Sequence, residues 1–376
     1  MAKRRGKGEG SITQLKNGLW QARITYHEDG VVKRKAFYGK TRKEAQEKLT
    51  EALANLQRGL PLAPNERQTV GEFIQHWLET VAKGQLRPNT YESYCQVFRI
   101  RILPHIGGVR LTKLTPQHIS GMYAKLQENG LSARSAQYAH AVLHKALNQA
   151  VRWNLIPRNP ADLVDAPKPK RKELDILSPE QAEALIQAAK GERLEALFVL
   201  AITTGLRKGE LLGLKWQDVD WNEGKLHVRR ALTIVKGGFL EQPPKNGRGR
   251  TVVLTKLALN ALHKHRAKQL EERLRAGEYW QGSDYVFASE VGRPLQPKTV
   301  FVKFKHLLKK AGLPDIRFHD LRHTAATLLL RQGVHPKVVQ EMLGHSSIQM
   351  TMDVYSHVLP DLQREAANKL DSLFGN

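Results

Sequence analysis

Two proline-bearing connectors cut this chain before any helix or strand is read. The first is Leu60-Pro61-Leu62-Ala63-Pro64-Asn65. The second sets Pro157, Pro160, Pro167 and Pro169 among Lys168, Lys170, Arg171 and Lys172. Proline has no N–H to give and pushes the residue before it out of the helical region, so regular elements end at such stretches. A chain of 376 residues is therefore expected to form three domains, over residues 1–60, 61–168 and 169–376, each with its own core.

The expected fold class is multidomain α+β. In the first domain, Ser11–Leu15, Leu19–His27 and Val31–Tyr38 read as strands, with Asn17-Gly18 and Asp29-Gly30 as hairpin turns. Alternation puts Trp20, Ala22, Ile24 and Tyr26 on one face and Gln21, Arg23, Thr25 and His27 on the other. Thr41 caps a helix reaching about Arg58. The spacing then predicts four helices between Thr69 and Trp153, opened by Thr69, Pro88, Thr115-Pro116 and Ser132. Their apolar and aromatic positions recur at helical spacing, as in a bundle core. The last domain is expected to be mainly α. A small antiparallel sheet is read over Leu226–Val235, Phe239–Gln242 and Arg250–Leu254, with helices at about 179–190, 192–204, 256–275, 297–311, 320–332, 336–343 and 347–356.

Charge narrows the partner. The chain carries 60 Lys and Arg against 36 Asp and Glu, a net +24. The first 60 residues alone hold 14 basic against 6 acidic residues. Such an excess predicts a polyanionic partner. No apolar run is long enough to span a membrane, and the basic stretch Met1–Gly10 lacks the apolar segment of a signal peptide. Cys95 is the single cysteine, so no disulfide or cysteine zinc site forms within one chain, and a cytoplasmic location fits. Gly39-Lys40-Thr41 is half a P-loop whose upstream glycine is missing, position 34 being Arg.

The chemistry concentrates between Ile316 and Val358. Three polar groups interrupt apolar helical sequence there: His319-Asp320-Leu321-Arg322-His323, Leu343-Gly344-His345, and Tyr355. Guanidinium stays charged and forks onto phosphate oxygens, imidazole moves protons, and a phenol oxygen can attack phosphorus. A second arginine stands in Thr204-Gly205-Leu206-Arg207-Lys208-Gly209-Glu210-Leu211. Arg207 and Arg322 are the two cations expected on a phosphodiester, with Glu210 one helical turn on from Arg207 to orient it.

The order of these pieces resembles the two motif boxes of the tyrosine recombinases, the phage integrase family. The resemblance implies a site-specific recombinase that cleaves and rejoins DNA through a 3′-phosphotyrosine, with no cofactor. Tyr355 would be the nucleophile, His319 the proton acceptor and His345 a contact to the scissile phosphate. Lys245, in the turn Pro243-Pro244-Lys245-Asn246-Gly247, resembles the family's mobile lysine, the general acid. The first domain resembles an arm-site-binding module reading double-stranded DNA through Gln21, Arg23, Thr25, Lys33, Arg34 and Lys35. The helical domain would clamp the core site through Arg87, Arg99 and Arg134. A homotetramer on DNA is implied, with accessory bending and directionality factors, and the tail Asp361–Phe374 reads as an amphipathic helix for its own domain or a neighbouring protomer.

Three rival readings share these residues. His319 and His323 have the i, i+4 spacing of zinc ligands, with His345 as a third, which would make a metallohydrolase; Asp320 stands where such enzymes place a catalytic Glu. A non-catalytic DNA-binding regulator would share the fold but has no need of Arg207, Arg322 and Tyr355. A type IB topoisomerase shares the chemistry but not the arm-like first domain.

Overall fold

The structure, a computed structural model, describes residues 10–28, 31–57, 67–169, 175–355, 367–368 and 370–375. The chain divides into two units, residues 1–171 and 172–376. The first unit carries two separate hydrophobic clusters.

The smaller cluster is built by β1 (Ser11–Gln14), β2 (Trp20–Glu28), β3 (Val31–Gly39) and α1 (Arg42–Gln57). The strands run antiparallel in the order β1-β2-β3. Gly18, at φ 82°, makes the first turn; the second expected turn, Asp29-Gly30, lies outside the described residues. Ala22 and Ile24 pack against Ala45, Leu49 and Ala52 of α1. Thr41 Oγ1 accepts from the Glu44 N–H at 3.2 Å and starts that helix.

Register corrects the expected DNA face in two ways. Ile24 faces Lys35 and Tyr26 faces Lys33 across the ladder, while Thr25 faces Arg34. Residues directly opposite share a face, so Lys33 and Lys35 belong to the helix side of the sheet and Arg34 to the other. Lys35 Nζ lies 6.0 Å from the Phe37 ring centroid. Gln21, expected to be open, is 5% exposed and donates to its cross-strand partner Tyr38 through Nε2 at 2.7 Å. Arg23, Thr25 and Arg34 remain exposed on the outer face.

The larger cluster is the expected helical bundle. Helix α2 spans 70–85 and α3 spans 88–106, each with a π turn inside it, Leu78–Ala82 and Phe98–Ile102. Pro116–Glu128 forms α4 and Ala133–Arg152 forms α5. Thr69 and Glu72 make a reciprocal capping box, and Thr115 and Ser132 cap as their sequence implies. Trp77 is 2% exposed, edge-on to Phe98 and stacked on Tyr94. Tyr138, grouped with the core by its spacing, is 38% exposed at the rim of that aromatic row.

The second unit is organised around one apolar helix. After α6 (Pro179–Ala189), α7 (Glu195–Thr204) buries every residue from Ala196 to Ile202. A helix apolar on all sides is a buried one. It packs on α9 (Lys256–Ala276, after the short α8, Lys208–Leu212) and on α11 (Asp320–Arg331, after α10, Pro297–Lys310). Two further helices follow, α12 (Pro336–Leu343) and α13 (Ile348–Tyr355).

The expected strand Leu226–Val235 is two strands in two sheets. Between α8 and α9 run β4 (Val219–Asp220), β5 (Lys225–Val228), β6 (Ala231–Val235), β7 (Gly238–Gln242) and β8 (Arg250–Val253). The order β4-β5-β8 forms one sheet, and β6 pairs only with β7. The break falls at Arg229-Arg230, where Arg230 is drawn onto the carboxylate of fully buried Asp218. No helix among the described residues is long and apolar enough to cross a membrane.

Candidate active site

Arg207 sits at the N-cap of α8, two residues after the left-handed Gly205 that ends α7. Gly205 has φ 62°, and a Cβ there would stand 2.3 Å from Leu343 Cδ2. That close approach lets α7 end against α12. Glu210, 1% exposed, receives Arg207 Nη1 at 2.8 Å and the Arg207 backbone N–H at 3.0 Å. Its second cation is Arg250, donating from Nη2 at 2.7 Å and Nη1 at 3.2 Å. Burial alone would raise the Glu210 carboxyl, but the Arg250 and Arg207 guanidiniums hold it below the usual range.

Arg322 comes from the first turn of α11 and is 3% exposed. Its Nη1 donates to the Gly205 carbonyl at 2.8 Å, while its Nη2 is buried with no hydrogen-bond partner among the described residues. Burial, then the positive charge of Arg207, presses the guanidinium down to about 9. It stays charged at neutral pH. A buried cationic donor without an acceptor is costly unless an anion completes it.

The histidines share this cationic surrounding. His345 follows the left-handed cap Gly344 and pairs Nδ1 with the Oγ1 of fully buried Thr351 at 2.9 Å. Burial, then Arg322 and Arg207, push it down to about 3. His319 precedes α11, open to solvent on one side. The protein packed about its inner edge, then His323 and Arg322, push it down to about 4. The His319 and His323 rings meet edge to face at 5.4 Å. Among the described residues no three His, Cys, Asp or Glu side chains are grouped so as to hold a metal ion, and Arg322 and Arg207 add positive charge around His319, which suits an anion.

A cleft of about 530 Å³ gathers Arg207, Arg250, Gly344 and His345 with Pro244, Asn246 and Arg248. The Gly344 carbonyl accepts both Arg207 Nη2 at 3.1 Å and Asn246 Nδ2 at 2.9 Å. Lys245 lies exposed in the loop between β7 and β8, flanked by the cleft residues Pro244 and Asn246, and is not itself in the lining. Tyr355 ends α13, and its side chain lies outside the described residues. In the helical bundle of the first unit, Arg87, Arg99 and Arg134 are exposed.

Three contributors escaped the sequence. Arg250 enters the sequence reading only as the start of the strand Arg250–Leu254. Asn246 and Thr351 carry no sequence signal, since each acts through a partner distant in the chain or in the next helix.

Buried Arg322 and half-buried Arg207, with two imidazoles held neutral and a helix ending in tyrosine, make a cationic site suited to a phosphodiester. The comparisons agree. Residues 175–361 match the phage integrase family, and residues 69–127 match the phage integrase N-terminal SAM-like domain. A tyrosine recombinase XerC-like protein of Caldanaerobacter subterraneus subsp. tengcongensis is 35% identical, covering 96% of this chain and 98% of that protein. The ICEBs1 integrase of Bacillus subtilis is 29% identical over 96% of this chain and 100% of its own length. Among solved structures, the Tn1549 transposon integrase in complex with transposon right end DNA overlays with a TM-score of 0.70 at 23% identity, over 81% of this chain and 99% of that one. A lambda integrase tetramer bound to a Holliday junction gives 0.60 at 22%, over 89% and 95%. The chain belongs to the phage integrase family. It is a tyrosine recombinase, a site-specific enzyme that breaks and rejoins DNA strands by phosphoryl transfer.

Proposed function

We propose that Arg207 and Arg322 clamp the scissile phosphate of double-stranded DNA while Tyr355 attacks it. The phenol oxygen bonds to phosphorus and the P–O5′ bond breaks, leaving a 3′-phosphotyrosyl ester and a free 5′ hydroxyl. His319 takes the phenol proton, for which its neutral state at physiological pH suits it. His345 contacts the phosphate, and Lys245 protonates the departing 5′ oxygen. The ester keeps the energy of the diester, so a 5′ hydroxyl from a second strand reverses the step onto a new partner. In the order of the chain, residues 1–60 would bind arm sites through Arg23, Thr25 and Arg34, residues 61–168 the core site, and residues 169–376 carry the chemistry. A DNA-bound tetramer supplies four active sites, one for each strand of the two recombining duplexes, assisted by accessory bending and directionality factors. The outcome is integration and excision of a phage or other mobile element, as the names of the relatives suggest.

One observation carries this reading: buried Arg322 Nη2 has no acceptor among the described residues, and Arg207 adds a second positive charge to its surroundings. A phosphate oxygen supplies that acceptor. Loss of one preorganised donor to transition-state charge costs about 3–4 kcal/mol, or 10²–10³ in rate. Arg322→Lys keeps the charge and removes the fork. Single-turnover cleavage of a cognate duplex is expected to fall by about a hundredfold or more, with DNA binding nearly unchanged. Cleavage at the wild-type rate would remove the clamp from the mechanism.

A further inference from the structure

Arg250 opens β8 and braces three elements around the cleft. Its two terminal nitrogens fork onto Glu210 of α8, and its Nε donates to the Met342 carbonyl near the end of α12 at 2.8 Å. Its guanidinium also lies under the α12 cap: a Cβ on Gly344 would meet Arg250 Nη1 at 3.0 Å and Cζ at 3.1 Å. Arg207 is held at two points, the Glu210 carboxylate and the Gly344 carbonyl. Arg250 touches both of those supports. Five residues before it on the same strand-and-loop segment is Lys245.

A fold anchor would need only a neutralised Glu210. The observed arrangement does more. Glu210 has one carboxylate shared between two guanidiniums, so its orientation is fixed by Arg250 and passed on to Arg207. The bond to Met342 and the contact beneath Gly344 fix the height of the His345 loop against the same reference. Without the fork, Glu210 can turn wholly onto Arg207 and draw it off the phosphate.

We propose that Arg250 is a positioning residue for strand cleavage: through Glu210 and the Gly344 cap it sets where the remaining N–H donors of Arg207 point. This rests on Arg207 acting as a phosphate clamp. The test compares two suicide duplexes under single-turnover conditions. One carries the ordinary scissile phosphodiester; the other carries a methylphosphonate there, which has no charge on its non-bridging positions and so asks less of the clamp. Arg207→Ala is the control, and Arg250→Gln and Arg250→Lys are the test variants. Arg250→Lys leaves Glu210 with a cation if Arg250→Gln fails to fold.

A misplaced clamp is expected to slow cleavage of the phosphodiester by about a hundredfold. On the methylphosphonate the deficit should shrink toward wild type, for Arg250 variants as for Arg207→Ala. Equal losses on both substrates would mean a general structural role and overturn the proposal. Wild-type cleavage of the phosphodiester by Arg250 variants, with Arg207→Ala impaired, would overturn it alone. Normal cleavage by Arg207→Ala would instead bring down the clamp reading, and this proposal with it.

Discussion

Glu210 keeps its charge at 1% exposure because the Arg250 guanidinium forks onto it and Arg207 adds one guanidinium and one backbone N–H bond. That leaves the site with more cation than anion. Arg207, Arg322 and Arg250 face one another and two histidines, and the histidines respond by giving up protons. The consequence for stability has a definite sign. In the unfolded chain each imidazole binds a proton near its ordinary value of about 6.5, whereas folded His319 and His345 resist until about 4 and about 3. Below about 6.5 the unfolded state binds more protons, so stability is lost as pH falls. His323 and His265 are also lowered and add to the slope. Glu210 loses its contribution only further down, as pH falls below the ordinary carboxyl value of 4.5. The melting temperature of the DNA-free protein should therefore decline between pH 6.5 and pH 5, and His345→Gln should make that decline shallower. Added inorganic sulfate should offset it by supplying the missing anion. A melting temperature flat across that window would contradict the electrostatic account.

Elements place these residues through a few close approaches. Gly205 ends α7 in a left-handed conformation, gives its carbonyl to Arg322 and lets Leu343 of α12 lie against it. An L side chain in that conformation costs about 1–2 kcal/mol, and the clash with Leu343 adds to it. Gly205→Ala should lower the melting temperature and cut cleavage, because the α12 shift moves Gly344 and His345 while the Arg322 acceptor moves too. Unchanged cleavage would show that this junction does not position the arginines. Most helices here are legible from sequence, because Thr69, Thr115, Ser132 and Ser178 announce their starts and apolar residues recur at helical spacing. The strands are less so. Leu226–Val235 contains no turn residue, and its break depends on Asp218, which sequence spacing does not bring to Arg230. The arm-module resemblance takes Lys33, Arg34 and Lys35 together, and alternation leaves Gln21 open; cross-strand register and the bond to Tyr38 decide otherwise. The arginines and histidines of the site stand in recognisable local patterns, whereas Arg250, Asn246 and Thr351 matter through partners that only folding supplies.

At the scale of the whole molecule, the net charge of +24 supplies sequence-independent attraction to DNA, while the second unit supplies the phosphate chemistry. The central claim is that this attraction ends in a covalent bond to one phenol. The most direct measurement is trapping on a nicked suicide duplex carrying the cognate crossover site, with wild type and Tyr355→Phe side by side. Wild type should yield a denaturant-stable protein–DNA adduct, and peptide mapping should place the DNA on Tyr355. The variant should bind the duplex and yield none. An adduct that persists in Tyr355→Phe would put the nucleophile elsewhere, and no adduct from wild type on a duplex it binds would contradict tyrosine catalysis by this chain.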